Sequence, residues 1–196
     1  LDITTFPSKL LIHNGKKKNK DKKNKVLGIN PGASYGNAKR WYPESFANVA
    51  ASLSNSYDII IFGDSKESNI ANDIERHLIK KGLTNYQNLA GKTSLSELIK
   101  KISNLDLFIT GDSGPMHLAA ALQIPTVSIF GPTKDNETSQ WLNKKSKIIK
   151  KNLDCQPCMK RVCPLKHHNC MKLIKASDVL DAVNSLDHEE NSVSIK

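Results

Sequence analysis

Hydrophobic and polar positions follow two alternating patterns from residue 26 onward. Short runs, most of them apolar throughout, predict β-strands at 26–30, 58–62, 86–89, 105–110, 126–130 and 146–150. Segments with apolar residues three and four positions apart predict helices at 43–53, 67–79, 94–102, 115–122 and 176–186. Apolar strands separated by helices are typical of a parallel sheet covered on both faces. The sequence therefore predicts an α/β, Rossmann-like domain.

Residues before and after this pattern predict segments outside the domain. Residues 1–25 contain a short apolar patch and a lysine run, which favour a basic linker or tail. The predicted domain covers residues 26–186 and carries a basic, cysteine-rich insertion at 155–170, and residues 187–196 are expected to form a polar tail. No window approaches about 18 consecutive apolar residues, and no basic region precedes an apolar run, so we expect neither a transmembrane helix nor a signal peptide.

The net charge of +10 is concentrated in two segments. Residues 16–25 hold seven Lys and one Asp, and residues 144–175 hold ten Lys or Arg and one Asp, so the rest of the chain is mildly acidic. A basic chain can bind nucleic acid, and a zinc-stabilised basic module of that kind is one alternative. Stacking of bases needs aromatic side chains among the cations, and residues 144–175 contain none. We therefore expect no nucleic-acid partner.

The loop after the strand at 105–110 predicts an anion site. Its sequence is TGDSGP at 110–115, and a short apolar helix with His117 follows. Right-handed crossovers place such loops at the carboxyl edge of a parallel sheet, where ligands bind. Asp112 or Ser113 can cap the helix and Pro115 suits its first turn, while the N-terminal N–H groups and the helix dipole attract anions. The alternative is a well-capped helix in which His117 is a core or surface residue.

The loop after the first strand predicts phosphate contacts. Residues 30–41 have the sequence NPGASYGNAKRW. Small residues let the backbone approach a phosphate closely, and Lys39 or Arg40 can supply the countercharge. The spacings of the P-loop and of the dinucleotide-binding fingerprint are both missing. The alternative is that Lys39 and Arg40 are solvated and that Trp41 packs under the following helix.

A third loop places acidic residues after the strand at 58–62. Asp64 and Glu67 follow Gly63 at the start of the predicted helix. An acid at this position of a nucleotide-binding unit can accept hydrogen bonds from ribose hydroxyls. The alternative is a first helical turn in which acids interact favourably with the helix dipole. The sequence alone leaves both interpretations open.

All four cysteines of the chain lie within 16 residues of one another in the basic insertion, at Cys155, Cys158, Cys163 and Cys170. His167 and His168 lie in the same stretch, and thiolates and imidazoles are the usual ligands of structural zinc. The spacing nevertheless matches no standard zinc finger. Free thiols and disulfides stay open as alternatives, and a cytoplasmic protein would disfavour disulfides.

Three motifs in a fixed order resemble a known family of enzymes. They are NPGASYGNAKRWYPESFANVA, NLAGKTSLSELI and GDSGPMHLAAALQIPTVSIFGPT, and the run CQPCMKRVCP with HHNCM is also similar. The family is glycosyltransferase family 9, the ADP-heptose:lipopolysaccharide heptosyltransferases. The resemblance implies the GT-B architecture, in which two Rossmann-like domains face each other across a cleft. This chain resembles the interdomain linker and the carboxyl-terminal, donor-binding half.

The resemblance also implies an activity. It is the inverting transfer of heptose from ADP-L-glycero-D-manno-heptose to the inner core of lipopolysaccharide or lipooligosaccharide, with no required cofactor. In the family the amino-terminal domain binds the lipid-linked core oligosaccharide acceptor and supplies the base, so we expect this chain to bind donor without turnover. Another nucleotide-sugar is the alternative donor. A cytoplasmic location at the inner face of the inner membrane is expected. Residues 144–175 then either contact anionic lipid or form a solvated basic face.

The resemblance assigns donor binding to Gly32, Ala33, Lys39, Glu67, Thr93, Asp112, Ser113, Gly114 and His117. Asp112, Ser113, Gly114 and His117 match the family motif at the diphosphate and heptose, and Lys39 matches the lysine that faces the phosphates. Lys39 and Asp112 are the implied catalytic residues. Glu67 corresponds to an acid at the ribose, and Thr93 lies in the loop near the base. Gly32 and Ala33 replace residues that are sometimes threonines, so only their backbone N–H groups can contact phosphate.

Overall fold

Six parallel strands form the centre of the computed structural model, which describes residues 24–193 of the chain. The strands lie in the order β3-β2-β1-β4-β5-β6, and every neighbouring pair is parallel. Their bounds are β1 Lys25–Asn30, β2 Tyr57–Ile61, β3 Tyr86–Asn88, β4 Leu107–Gly111, β5 Thr126–Ile129 and β6 Ser146–Ile149. All six predicted strands are present. The predicted linker at 1–25 lies outside the described residues except for its last two positions.

Seven helices surround the sheet in the described part of the chain: α1 Pro43–Leu53, α2 Ser68–Lys80, α3 Leu95–Ile102, α4 Gly114–Ala121, α5 Asp135–Thr138, α6 Asn169–Lys172 and α7 Ala176–Val193. Short 3-10 turns cover Asn37–Lys39 and Ser65–Glu67. The sequence did not predict α5 or α6, which are single turns of four residues. A capping box starts α3, since Ser94 Oγ accepts from the Glu97 N–H and Glu97 Oε2 accepts from the Ser94 N–H.

The last helix is longer than expected. It was predicted to end at residue 186 and to be followed by a polar tail, but α7 continues to Val193. Residues 187–190 have the sequence DHEE, which contains none of the residues that commonly end a helix, Gly, Asn and Pro. Polar composition alone therefore does not mark the end of this helix.

The core lies on both faces of the sheet. On one face, residues such as Leu27, Ile29 and Ile59 pack with α1, α2 and α7. On the opposite face a smaller cluster contains Phe62 and Phe108, with α3 and α4 beside it. Strands covered on both faces explain why their sequences are apolar without alternation. No helix among the described residues is long and apolar enough to cross a membrane.

A tight contact at Gly28 gives a prediction about stability. A Cβ atom there would overlap Leu105 Cδ1 and would lie 2.7 Å from Phe108 Cδ2. We expect Gly28→Ala to lower the free energy of unfolding by about 1–3 kcal/mol, because extra volume forces a packed core to shift. Urea denaturation measures the change, with Ser96→Ala on the exposed surface of α3 as the control. Equal stability of the two variants would contradict the packing argument.

Candidate nucleotide-sugar site

A cleft of about 530 Å³ lies at the carboxyl edge of the sheet. It lies where β1 and β4 are neighbours and the strand order changes direction, which is the usual ligand position in open parallel sheets. The loops that follow β1, β2, β3 and β4 all contribute to its walls. Its lining includes seven residues that the resemblance assigned to the donor, namely Lys39, Glu67, Thr93, Asp112, Ser113, Gly114 and His117.

Gly32 and Ala33 do not line the cleft. Ala33 is only 2% exposed, and a Cβ atom at Gly32 would overlap the carboxyl group of Glu67. The close approach of Gly32 therefore makes room for the Glu67 side chain, which lies between this loop and the ligand space. The cleft lining therefore gives no support to a phosphate contact by these two residues, which stays a prediction.

Lys39 and Asp112 form an ion pair in the wall of the cleft. Lys39 Nζ lies 2.5 Å from Asp112 Oδ2, and the two side chains are only 10% and 6% exposed. Thr133 Oγ1 donates a hydrogen bond of 2.6 Å to the same carboxylate oxygen. Buried charges need such partners, since a buried ion without one is costly. The alternative of a solvated Lys39 is wrong.

Two residues around this ion pair were not identified from the sequence. Thr133 comes from the loop after β5, and its sequence signals are its position after a Gly-Pro pair at a strand end and its place at the end of the third quoted motif. Tyr35 lies beside the cleft with its ring 4.6 Å from Lys39 Nζ. A cation over an aromatic face is held electrostatically by the ring. Tyr35 thus adds a second contact to the Lys39 ammonium, beside the ion pair with Asp112.

Glu67 has two roles in this geometry. Its Oε2 accepts from the Asp64 N–H at 3.1 Å, and Asp64 Oδ1 accepts from the Glu67 N–H at 3.0 Å. The pair is a capping box at the start of the turn before α2. Burial raises the pKa of Glu67, against the opposing effects of the Asp64 N–H and the charge of Arg40. The interpretation as a first-turn acid is confirmed by this capping box, and because the same side chain lines the cleft, the ribose contact stays a prediction.

The amino end of α4 opens into the cleft without a side-chain cap. Ser113 is the N-cap residue, but its hydroxyl makes no bond to the first helical amides. That hydroxyl instead accepts from Asn30 Nδ2 at 3.1 Å and lies 3.1 Å from Thr110 Oγ1. A Cβ atom at Gly114 would meet nothing within 4 Å, so the helix start faces open space. The expected cap by Asp112 or Ser113 is therefore not formed, and this helix end is free to receive an anion.

Part of the cleft lining is apolar. Leu95 and Leu98 of α3 line the cleft together with Thr93 in the preceding loop. Leu95 is 67% exposed although it is a large apolar residue. His117 is exposed on α4 and also lines the cleft, so the alternative of a core histidine is wrong. A lining that combines polar, cationic and apolar side chains matches the chemical parts of a nucleotide.

The four cysteines lie close to one another within residues 155–170, which we call the cysteine-rich segment. Burial, together with the neighbouring Cys158, Cys163 and Cys155, raises the pKa of Cys170 to about 11. All four cysteines are free, so the disulfide alternative is not what the structure shows. Among the side chains that the structure describes, residues 24–187, no three of His, Cys, Asp or Glu are arranged to hold a metal ion. Zinc binding stays a prediction from the sequence, without support from this geometry.

Known proteins have similar sequences. Residues 3–169 match the family described as Glycosyltransferase family 9 (heptosyltransferase). Lipooligosaccharide heptosyltransferase 2 of Campylobacter jejuni subsp. jejuni serotype O:2 is 46% identical over 182 residues, which cover 92% of this chain and 54% of that protein. Lipopolysaccharide heptosyltransferase 2 of Escherichia coli K12 is 31% identical, over 85% of this chain and 48% of that protein. The chain therefore spans about half the length of the curated relatives it matches.

A solved structure agrees with these relatives. The structure of E. coli ADP-heptose LPS heptosyltransferase II aligns with a TM-score of 0.73 and 30% sequence identity, covering 86% of this chain and 48% of that one. The likeness confirms the predicted Rossmann-like fold of one half of a GT-B glycosyltransferase. With a family match that extends over most of its residues, the chain belongs to glycosyltransferase family 9.

Proposed function

We propose that this chain is the donor-binding half of a heptosyltransferase and that its cleft holds ADP-L-glycero-D-manno-heptose. The observation that carries the proposal is the convergence of Lys39 and the uncapped start of α4 on one side of the cleft. Both features favour a diphosphate. Glu67, Leu95 and Leu98 line the same cleft. We propose that Glu67 accepts from the ribose hydroxyls and that the two leucines contact the base. The relatives named above are heptosyltransferases, which supports heptose as the transferred sugar.

The proposed reaction needs little beyond positioning and charge stabilisation. A base removes the proton of the acceptor hydroxyl, the oxygen forms a bond to the anomeric carbon, and the bond from that carbon to the phosphate oxygen breaks with inversion. The departing ADP gains negative charge as this bond breaks. Lys39 and the amino end of α4 supply positive charge on this chain's side of the cleft. With these two sources of charge, we propose that the leaving group needs no metal cofactor.

Asp112 has a separate part in this proposal. Its Oδ2 already accepts from Lys39 and Thr133, and a carboxylate repels phosphate. We therefore propose that its other oxygen accepts from a hydroxyl of the transferred sugar, while Oδ2 keeps Lys39 in place. His117 and Ser113 lie on the same side of the cleft, where they would meet the sugar or the phosphate next to it.

The acceptor and the base are proposed to belong to the part of the relatives that this chain does not span. The acceptor would be a lipid-linked core oligosaccharide of lipopolysaccharide or lipooligosaccharide, as the relatives' names indicate. We expect this chain alone to bind donor but not to transfer sugar. We also propose that the enzyme works in the cytoplasm at the inner face of the inner membrane, where residues 144–175 would contact anionic lipid.

A thermal-shift titration tests the donor. We expect ADP and ADP-heptose to raise the Tm of the chain, because a ligand at about 100 times its Kd stabilises the folded state by about 2.7 kcal/mol. UDP, GDP and their sugars should shift the Tm less, and adenosine, which lacks phosphates, is the matched control. Stabilisation by a UDP-sugar without stabilisation by ADP-heptose would show that the donor is a different nucleotide-sugar.

A further inference from the structure

The residue before Lys39 is Ala38, and both its N–H and its carbonyl group bond to the cysteine-rich segment. The Ala38 N–H donates a hydrogen bond of 3.0 Å to the Arg161 carbonyl. The Ala38 carbonyl lies 2.9 Å from Nε2 of His168. Gly36 begins the same turn, and a Cβ atom there would overlap the Arg161 carbonyl oxygen. The turn that carries Lys39 is therefore shaped to lie directly on the cysteine-rich segment.

Both ring nitrogens of His168 have hydrogen-bond partners. A carbonyl oxygen only accepts, so Nε2 must carry the hydrogen that bonds to Ala38. In the neutral ring Nδ1 is then an acceptor, and it lies 3.1 Å from the hydroxyl of Tyr42, which can donate to it. The His168 N–H itself lies 3.4 Å from Cys163 Sγ. Hydrogen bonds at both ring nitrogens thus fix the orientation of the His168 ring.

The same segment also contacts the loop that leads to Thr133. The Met159 N–H donates to the Pro132 carbonyl at 2.8 Å, and Gln156 Nε2 donates to the Gly131 carbonyl at 2.7 Å. Thr133 and Lys39 both bond to Asp112 Oδ2. The cysteine-rich segment therefore connects, from behind, the two loops whose side chains meet at Asp112.

We infer that His168 is a positioning residue for Lys39, which it acts on through the Ala38 carbonyl. The inference rests on the proposed function, in which Lys39 contacts the donor diphosphate. A lysine side chain has many rotamers, so the placement of its ammonium depends on how firmly the turn beneath it is held. Small displacements of a charged contact cost binding and rate when the ligand geometry is fixed. His168 removes freedom at the peptide unit next to Lys39.

The test compares ligands with and without phosphates on single variants of the chain. We expect His168→Ala to raise the Kd for ADP about 3- to 10-fold, the range of one neutral hydrogen bond. The Kd for adenosine should not change, because adenosine does not reach Lys39. His168→Gln should restore most of the ADP affinity, since Gln Nε2 can donate to the Ala38 carbonyl. Calorimetry on the 196-residue chain gives these constants.

The neighbouring His167 provides a matched control. Its Nδ1 accepts from the Asn169 N–H and it is exposed, so His167→Ala should bind ADP like the unsubstituted chain. In a Lys39→Met background, His168→Ala should have no further effect on ADP affinity. The inference would be overturned if His168→Ala weakened ADP binding equally with and without Lys39. It would also be overturned if His168→Ala weakened adenosine binding as much as ADP binding.

A different set of results would contradict the proposed function. If the unsubstituted chain does not bind ADP, or if Lys39→Met leaves ADP binding unchanged, the donor assignment is wrong whatever His168 does. If Lys39→Met weakens ADP binding and His168→Ala does not, only the inference is wrong. Should His168→Ala fail to fold, Tyr42→Phe carries the test: it leaves His168 Nδ1 without its donor, and we expect about a 2-fold loss confined to ADP. An unchanged ADP affinity of Tyr42→Phe would then overturn the inference.

Discussion

Replacing Asp112 with alanine should lower the free energy of unfolding by about 3–5 kcal/mol, the usual cost of removing one partner of a buried ion pair. The side chain of Lys39 is 10% exposed, and Asp112 is its ion-pair partner. The change also leaves Thr133 Oγ1 without the carboxylate that it bonds to. Urea denaturation followed by circular dichroism measures the loss.

The double variant Lys39→Met/Asp112→Leu is the control for this result. It removes both charges and keeps apolar volume at the site, and such replacements are often neutral or even stabilising. We therefore expect the double variant to recover most of the stability that Asp112→Ala loses. If Asp112→Ala is as stable as the unsubstituted chain, the ion pair is solvated. If the double variant is as unstable as Asp112→Ala, lost packing explains the effect and lost charge does not.

Lys39→Met should have the largest effect on donor use. A charged hydrogen bond contributes about 1.5–3 kcal/mol, so we expect ADP to bind roughly 10- to 100-fold more weakly. In an enzyme that contains both halves, loss of a contact to the departing ADP should cost about 2–4 kcal/mol, or roughly 30- to 800-fold in kcat/KM. Methionine is chosen because it keeps the length and the apolar stem of the lysine side chain.

Lys66→Met is the matched control for Lys39. Lys66 is an exposed cation in the turn beside Glu67, so its loss changes the net charge near the cleft by the same amount. We expect nearly unchanged ADP affinity, since an exposed charge is screened by salt and solvent. Similar losses in the two lysine variants would mean that general electrostatic attraction, and not a direct contact, explains the binding.

The fold could be predicted well because its signals are local. A parallel sheet buries its strands on both faces, so runs such as 58–62 and 126–130 are apolar throughout and contrast with the helices around them. Glycine and proline at the strand ends then mark the loops of the carboxyl edge. Helix α7 extends beyond its predicted end at residue 186, because polar composition alone does not end a helix and residues 187–190 contain no Gly, Asn or Pro.

The site could be predicted only where a motif or a resemblance named the residue. Lys39 and Asp112 were identified, but the sequence could not show that they form a pair with Thr133, which comes from a separate loop. His168 lies 130 positions from Ala38, and the bond between them exists only because the cysteine-rich segment folds back over the first loop. Contacts of this kind follow from tertiary packing and leave no local signal.

The missing cap of α4 couples ligand binding to the stability of the first turn of this helix. Helices usually satisfy their first amides with a side chain of their own, and loss of that cap costs about 0.5–2 kcal/mol. Here the hydroxyl of Ser113 bonds elsewhere, to Asn30 and Thr110. An incoming phosphate would complete the helix as well as fill the cleft. Part of the donor affinity would then be local folding free energy, which the ligand-free chain leaves unrealised.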